Sequence, residues 1–89
     1  MPHIIIKGMK VEDVKKISTS LIDELEEIVK CPREYFTLEV QQTQFIIDGH
    51  EVMREPFIQV NWFDRGQEVQ DQTADAIHRH ICAAGYQNV

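Results

Sequence analysis

Met1-Pro2-His3-Ile4-Ile5-Ile6-Lys7-Gly8 opens the chain. Three consecutive isoleucines closed by a glycine predict a short buried strand, because β-branched side chains favour extended backbone and a packed surface. Pro2 becomes the N-terminal residue once Met1 is removed, and a small penultimate residue permits that removal. A free N-terminal proline is a secondary amine carried on a strand. It acts as a general base if its surroundings keep it unprotonated. An ordinary N-terminal amine titrates near pH ~8, so an apolar or cation-lined position has to lower that value. The structural alternative is plain: proline is also a good first residue of a strand.

Beyond Gly8 the period changes. Val14, Ile17, Leu21, Leu25 and Ile28 recur at spacings of three and four, with Val11, Ser18 and Val29 beside them. This is one apolar stripe of a helix that ends near Lys30, since Pro32 disfavours helical backbone at Cys31. Asp13, Lys16 and the acidic run Asp23 to Glu27 fall on the solvated side. Tyr35 to Gln44 then alternates, with Phe36, Leu38 and Val40 on one face and Thr37, Glu39 and Gln41 on the other. Asp48-Gly49 predicts a type I′ turn joining Phe45-Ile46-Ile47 to Glu51-Val52-Met53. Phe57 to Phe63 is a third main strand, with Ile58, Val60 and Trp62 sharing a face. Asp64 is the candidate N-cap of a last helix from about Gly66 or Gln67 to Ala84, with Val69, Thr73, Ala76, Ile77, Ile81 and Ala84 inward. Gly85 stops it. Tyr86 to Val89 is a short tail, free or docked on a neighbour.

A weak internal echo organises these elements. Pro2-His3-Ile4-Ile5-Ile6 resembles Pro56-Phe57-Ile58-Gln59-Val60, and Glu12-Asp13-Val14 resembles Gln67-Glu68-Val69. The chain reads as two β–α halves separated by the Tyr35 strand and a hairpin. A strand–helix–strand unit favours a parallel pair with a right-handed crossover. The expected fold is α/β (α+β), one domain over residues 1–89, with an approximately four-stranded mixed sheet and both helices on one face. The other face, carrying Thr37, Glu39, Gln41, Gln59 and Asn61, either meets water or lines the centre of a ring of subunits.

Bulk properties narrow the function. A chain of 89 residues buries only about 60–65% of its unfolded surface, which makes association a source of further burial. A net charge of −6 with scattered basic residues argues against nucleic acid as the main partner. No apolar run approaches the ~18 residues of a membrane span, and no signal-peptide pattern is present, so the expected location is cytoplasmic with no membrane partner. Cys31 and Cys82 read as free thiols. His78, His80 and Cys82 resemble a metal cluster only as text. On a helix His80 points roughly 160° away from the side shared by His78 and Cys82, and zinc needs converging ligands. No metal or other cofactor is expected.

The Met-Pro start, the two β–α halves and the segment Lys30-Cys31-Pro32-Arg33-Glu34-Tyr35 before a strand resemble the tautomerase superfamily. That group includes 4-oxalocrotonate tautomerase, 5-carboxymethyl-2-hydroxymuconate isomerase and macrophage migration inhibitory factor. Pro2-His3-Ile4-Ile5 is similar to the start of the muconate isomerase, and Lys30-Cys31-Pro32 to the Lys-Pro-Pro segment of the cytokine. The resemblance is closest to a bacterial branch of the superfamily. It implies a homotrimer around a central channel, with interfacial sites at which Pro2 moves a proton between carbon and oxygen of a small 2-oxo acid or related carbonyl compound. Donors or cations must then stabilise the enolate and bind a carboxylate. Lys7, Lys30, Arg33, Arg54 and Arg65 are the candidates, with Trp62 as a substrate platform and Ile4, Phe36, Trp62 and Phe63 as apolar walls. Two departures stand out. Met9 follows Gly8 where 4-oxalocrotonate tautomerase has an arginine, and the second strand has Thr37 and no arginine. The alternative expectation is therefore a catalytically silent trimer that binds or scaffolds. Arg54 and Arg65 also suit surface ion pairs, and Trp62 suits packing.

Overall fold

A computed structural model describes residues 2–87. Its order is β1 (His3–Lys7), α1 (Val11–Val29), a 3-10 turn (Arg33–Tyr35), β2 (Thr37–Gln41), β3 (Phe45–Ile47), β4 (His50–Val52), β5 (Phe57–Asn61) and α2 (Gln67–Ala83). The Ile run lies at the centre of a sheet ordered β2-β1-β5. β1 pairs with β2 in parallel, Ile4 opposite Leu38, and with β5 in antiparallel, Ile4 opposite Val60. The crossover through α1 delivers the parallel pair that a strand–helix–strand unit favours.

Period-two alternation then sorts the side chains of β1. Ile4 and Ile6 are 1% exposed, under the helices, while His3, Ile5 and Lys7 stand on the opposite face. The core joins Ile4 and Ile6 to Val14, Leu21 and Leu25 of α1 and to Ala76, Ile77 and Ile81 of α2. Ile22 joins them from a position just outside the predicted stripe. Phe36, Leu38, Val40, Ile58 and Val60 pack partly buried against this core. The helices run antiparallel: Asp13 in the first turn of α1 meets Tyr86 just past α2, Glu24 farther along α1 meets Arg79 farther back in α2, and the end of α1 shares a groove with the start of α2. Thr73 of α2 is buried with its hydroxyl unpartnered among the described residues.

The mixed sheet with both helices on one face is as expected, but the main sheet has three strands rather than about four. The Asp48-Gly49 hairpin, with φ of 49° and 81° at its turn, forms a separate two-stranded ribbon. It packs closely on no other element. Accordingly, the chain measures 43 × 25 × 20 Å, and its radius of gyration of 13.6 Å exceeds the ~12 Å of a compact chain this long. Both outer edges of the sheet, on β2 and β5, are unpaired among the described residues.

Local stops differ in detail from the sequence reading. Lys30, not a glycine, takes the left-handed cap of α1 (φ 60°), and its N–H bonds Glu26 O at 2.9 Å. Gly66 (φ 91°) is the N-cap of α2; Asp64, two residues earlier, instead accepts the Gly66 N–H at 2.9 Å. Gly85 ends α2 as predicted, at φ 102°. The tail docks on its own chain: Tyr86 donates to Asp13 Oδ2 at 2.6 Å and accepts the Lys10 N–H at 3.2 Å. Met1, whose removal the proline chemistry requires, lies outside the described residues, as do Asn88 and Val89. No helix among the described residues is long and apolar enough to cross a membrane.

Candidate functional site

Pro2 sits one residue before β1, fully buried, and its carbonyl accepts the Thr37 N–H at 3.0 Å. The sheet register sets its neighbours. The last antiparallel pair is His3 opposite Asn61, and the first parallel pair is His3 opposite Thr37. One further step puts Pro2 level with Trp62 on one side and Phe36 on the other. Of the apolar walls expected around Pro2, these two occupy that end of the sheet. Ile4 is spent in the core, and Phe63 is 78% exposed.

The antiparallel packing brings Lys30 and Arg65 to this same end. Both line an open groove of about 890 Å³ between the last turns of α1 and the first turns of α2. Two contacts hold Arg65 in place: its guanidinium carbon lies 5.2 Å from the centroid of the Trp62 ring, and Nη1 donates to Phe63 O at 2.7 Å. Trp62 thus acts as a platform for a cation of its own chain. Pro2 is not among the residues lining the groove. The groove is also acidic, with Glu24, Glu27, Glu68 and Asp75 in its wall.

The remaining candidates are elsewhere. Arg33 faces α1, where Nη1 donates to Asp23 Oδ1 at 2.6 Å and Nη2 donates to Thr19 O at 3.2 Å; Glu26 is 3.7 Å away. Its forked donors are thereby engaged in pinning the 3-10 turn to the helix. Lys7 ends β1, four residues from His3 and so about 13 Å along the strand, and it stands on the face away from the helices. Arg54 is exposed just before β5, 3.8 Å from Glu55. Within one chain, then, Pro2, Trp62, Lys30 and Arg65 gather at one end of the sheet, and Lys7 and Arg54 at the other.

Two polar clusters escaped the sequence reading. Glu24, assigned to the solvated face of α1, instead bridges to α2. It accepts from Arg79 through both carboxylate oxygens and lies 2.9 Å from His80 Nε2, while Arg79 Nε donates to Asp75 at 2.8 Å. The Arg79 bonds, then His80, hold the Glu24 carboxyl below the usual carboxylate range. Glu24 and Asp75 in turn raise the Arg79 guanidinium above its ordinary value. His80 therefore faces a carboxylate rather than the apolar stripe of α2. Partners 55 and 56 residues apart leave no local signal. On the outer face of the sheet, Gln41 Nε2 donates to Glu39 at 3.1 Å and His3 Nε2 lies 2.7 Å from it. The Gln41 bond, then His3, keeps Glu39 low. Gln59 and Asn61 bond each other on that face at 3.1 Å.

The arrangement is the α+β fold of macrophage migration inhibitory factor. A macrophage migration inhibitory factor-like protein from Entamoeba histolytica superposes with a TM-score of 0.69 at 20% identity, over 93% of this chain and 75% of its own. The chain belongs to the family described as a domain of unknown function (DUF1904), whose model matches residues 1–89. A DUF1904 domain from Sebaldella termitidis is 38% identical with a TM-score of 0.87, covering 93% of this chain and 77% of that one. A protein of unknown function from Vibrio cholerae is 30% identical with a TM-score of 0.81; 92% of this chain spans 65% of its length. No curated protein matches.

Proposed function

We propose that the protein is a tautomerase of small 2-oxo acids or related carbonyl compounds, working as a homotrimer with Pro2 as general base after loss of Met1. The observation that carries this reading is the coincidence of Pro2, Trp62, Lys30 and Arg65 at one end of the sheet in a fold shared with the migration inhibitory factor-like protein. Removal of Met1 frees the Pro2 nitrogen. Phe36 and Trp62, level with Pro2 in the sheet, offer that amine the apolar surroundings an unprotonated base needs. The amine takes the proton from the carbon next to the carbonyl and delivers it to the carbonyl oxygen to form the enol, and the reverse transfer, from enol oxygen to carbon, gives the keto form. Lys30 and Arg65 supply the positive charge that the enolate and a substrate carboxylate need.

Association fits the unfilled surfaces. The two open sheet edges, and Ile46, Ile47, Met53 and Phe57 at 49–96% exposure, are liabilities on a lone chain and assets at a subunit interface. In an assembly, Lys7 and Arg54 of one protomer become available to the Pro2 end of another.

Intact mass of untagged protein comes first, and retained Met1 would rule the amine base out. With Met1 absent, phenylenolpyruvate turnover is expected to fall at least about a hundredfold in Pro2→Ala; equal rates would remove Pro2 from the reaction. Sedimentation tests the trimer separately. A specific observation favours a second reading, a silent binding trimer: Pro2 is buried and outside the groove, and Arg33 is engaged with Asp23. That reading expects a trimer with no turnover in either form.

A further inference from the structure

The two helices do not cover the sheet equally. α1 packs closely on β2, whereas α2 stands off β5. This leaves a recess of about 280 Å³ beneath the β5 edge, lined by Ile58 and Val60 of the strand and Ala74 and Ile77 of the helix. The β5 edge itself is unpaired among the described residues, and Phe57 on it is 58% exposed. The β3–β4 ribbon carries the complementary defect. It packs closely on no other element, and Ile46 and Ile47 of β3 are 69% and 49% exposed. A lone two-stranded ribbon is marginal in water and gains from a third strand. We infer that β3 of one copy adds as a strand to the β5 edge of a second copy. This contact rests on the homotrimer reading above and specifies the surfaces that meet in it.

Side-chain alternation and surface area both fit. Ile58 and Val60 face the helices, while Phe57 faces the other side of the sheet. An added strand obeys the same alternation. With Ile46 turned into the recess, Ile47 comes beside Phe57 on the outer face, so one contact covers all three. A folded monomer of 10.4 kDa exposes about 5,400 Å², and this chain exposes 6079 Å². The excess of roughly 700 Å² is close to the ~800 Å² that each partner gives to a standard interface. The chain carries both halves of the contact, which makes a second copy the occupant. Its own tail does not compete for the recess, because Tyr86 is docked on Asp13 of α1. Donor and acceptor surfaces differ, so the contact is heterologous. Each copy gives its ribbon to one neighbour and takes one from another, and three such contacts close a ring.

Sedimentation equilibrium of the 89-residue chain and two single variants provides the test. Wild type is expected at three times the 10.4 kDa of one chain. Ile46→Asp disables the donor strand, and Ala74→Asp puts a charge into the recess. Each variant alone is expected to sediment as a monomer. Mixed in equal amounts, the two are expected to form a dimer, because Ala74→Asp still offers an intact ribbon and Ile46→Asp an intact recess. Far-ultraviolet circular dichroism verifies folding, and Ile46→Gln or Ala74→Gln replaces a variant that is unfolded. A wild type of any other mass overturns the contact together with the homotrimer. A trimeric wild type overturns the contact alone if either variant stays trimeric, or if the two monomeric variants fail to associate on mixing.

Discussion

Replacing Gly8 with alanine tests how the two β–α halves are locked together. Gly8 has φ +88°, a backbone region that costs an L-residue roughly 1–2 kcal/mol. A Cβ there would also lie 3.2 Å from Pro56 Cα and 3.3 Å from Glu55 O. Both are main-chain atoms at the entry to β5, so no rotamer change relieves the contact, and such overpacking costs about 1–3 kcal/mol. The sum is roughly 2–5 kcal/mol for a single methyl group. Gly85→Ala is the matched control. It has φ +102° but nothing within 4 Å of the added Cβ, so it carries the backbone cost alone. The loss of unfolded-chain freedom that alanine brings applies to both variants and cancels in their difference. Urea unfolding followed by circular dichroism, at one fixed protein concentration because association shifts apparent stability, is expected to show Gly8→Ala the less stable by about 1–3 kcal/mol. Equal losses would mean that the Gly8–Pro56 contact does not constrain the fold.

Two pH experiments use the helix-to-helix contacts. Glu24 has a lowered carboxyl, so the stability it contributes is present above the ordinary glutamate pKa of ~4.3 and is lost as pH falls through the lowered value. Glu24→Gln is expected to flatten the acid limb of a melting-temperature profile; an unchanged limb would contradict the bridge to α2. Tyr86 is shifted the other way, upward, by desolvation first and by Asp13 second. Its contribution is present below pH ~10 and is lost as pH rises through the raised value. Tyr86→Phe is expected to cost roughly 1 kcal/mol at neutral pH and to remove part of the alkaline decline. A variant as stable as the parent would mean that the tail does not dock.

The elements of the fold were legible in the sequence because each rests on a local rule. The Ile4-Ile5-Ile6 run, the α1 stripe from Val14 to Ile28, the Asp48-Gly49 turn and the Gly85 stop need only side-chain periodicity and backbone sterics. The strand count was not legible. Whether Phe45–Ile47 joins the main sheet depends on where the chain carries it after Gln41, and no pattern within the hairpin encodes that. The Pro2 and Pro56 echo was visible as text, but antiparallel pairing of β1 with β5 sends the two prolines to opposite ends of the sheet.

The candidate site divides along the same line. Sequence alone determined that Pro2 is a potential terminal amine on a strand, and that the chain offers several cations and few apolar walls. Tertiary structure alone decided which of these meet. The antiparallel helices bring Lys30 to Arg65, the register sets Trp62 beside Pro2, and Arg33 is drawn to Asp23. It also turned Glu24 from a solvated residue into the bridge between helices. The physical reason is range: periodicity and backbone conformation act over a few residues, whereas ion pairs and shared grooves join groups that only chain folding brings within a few ångströms.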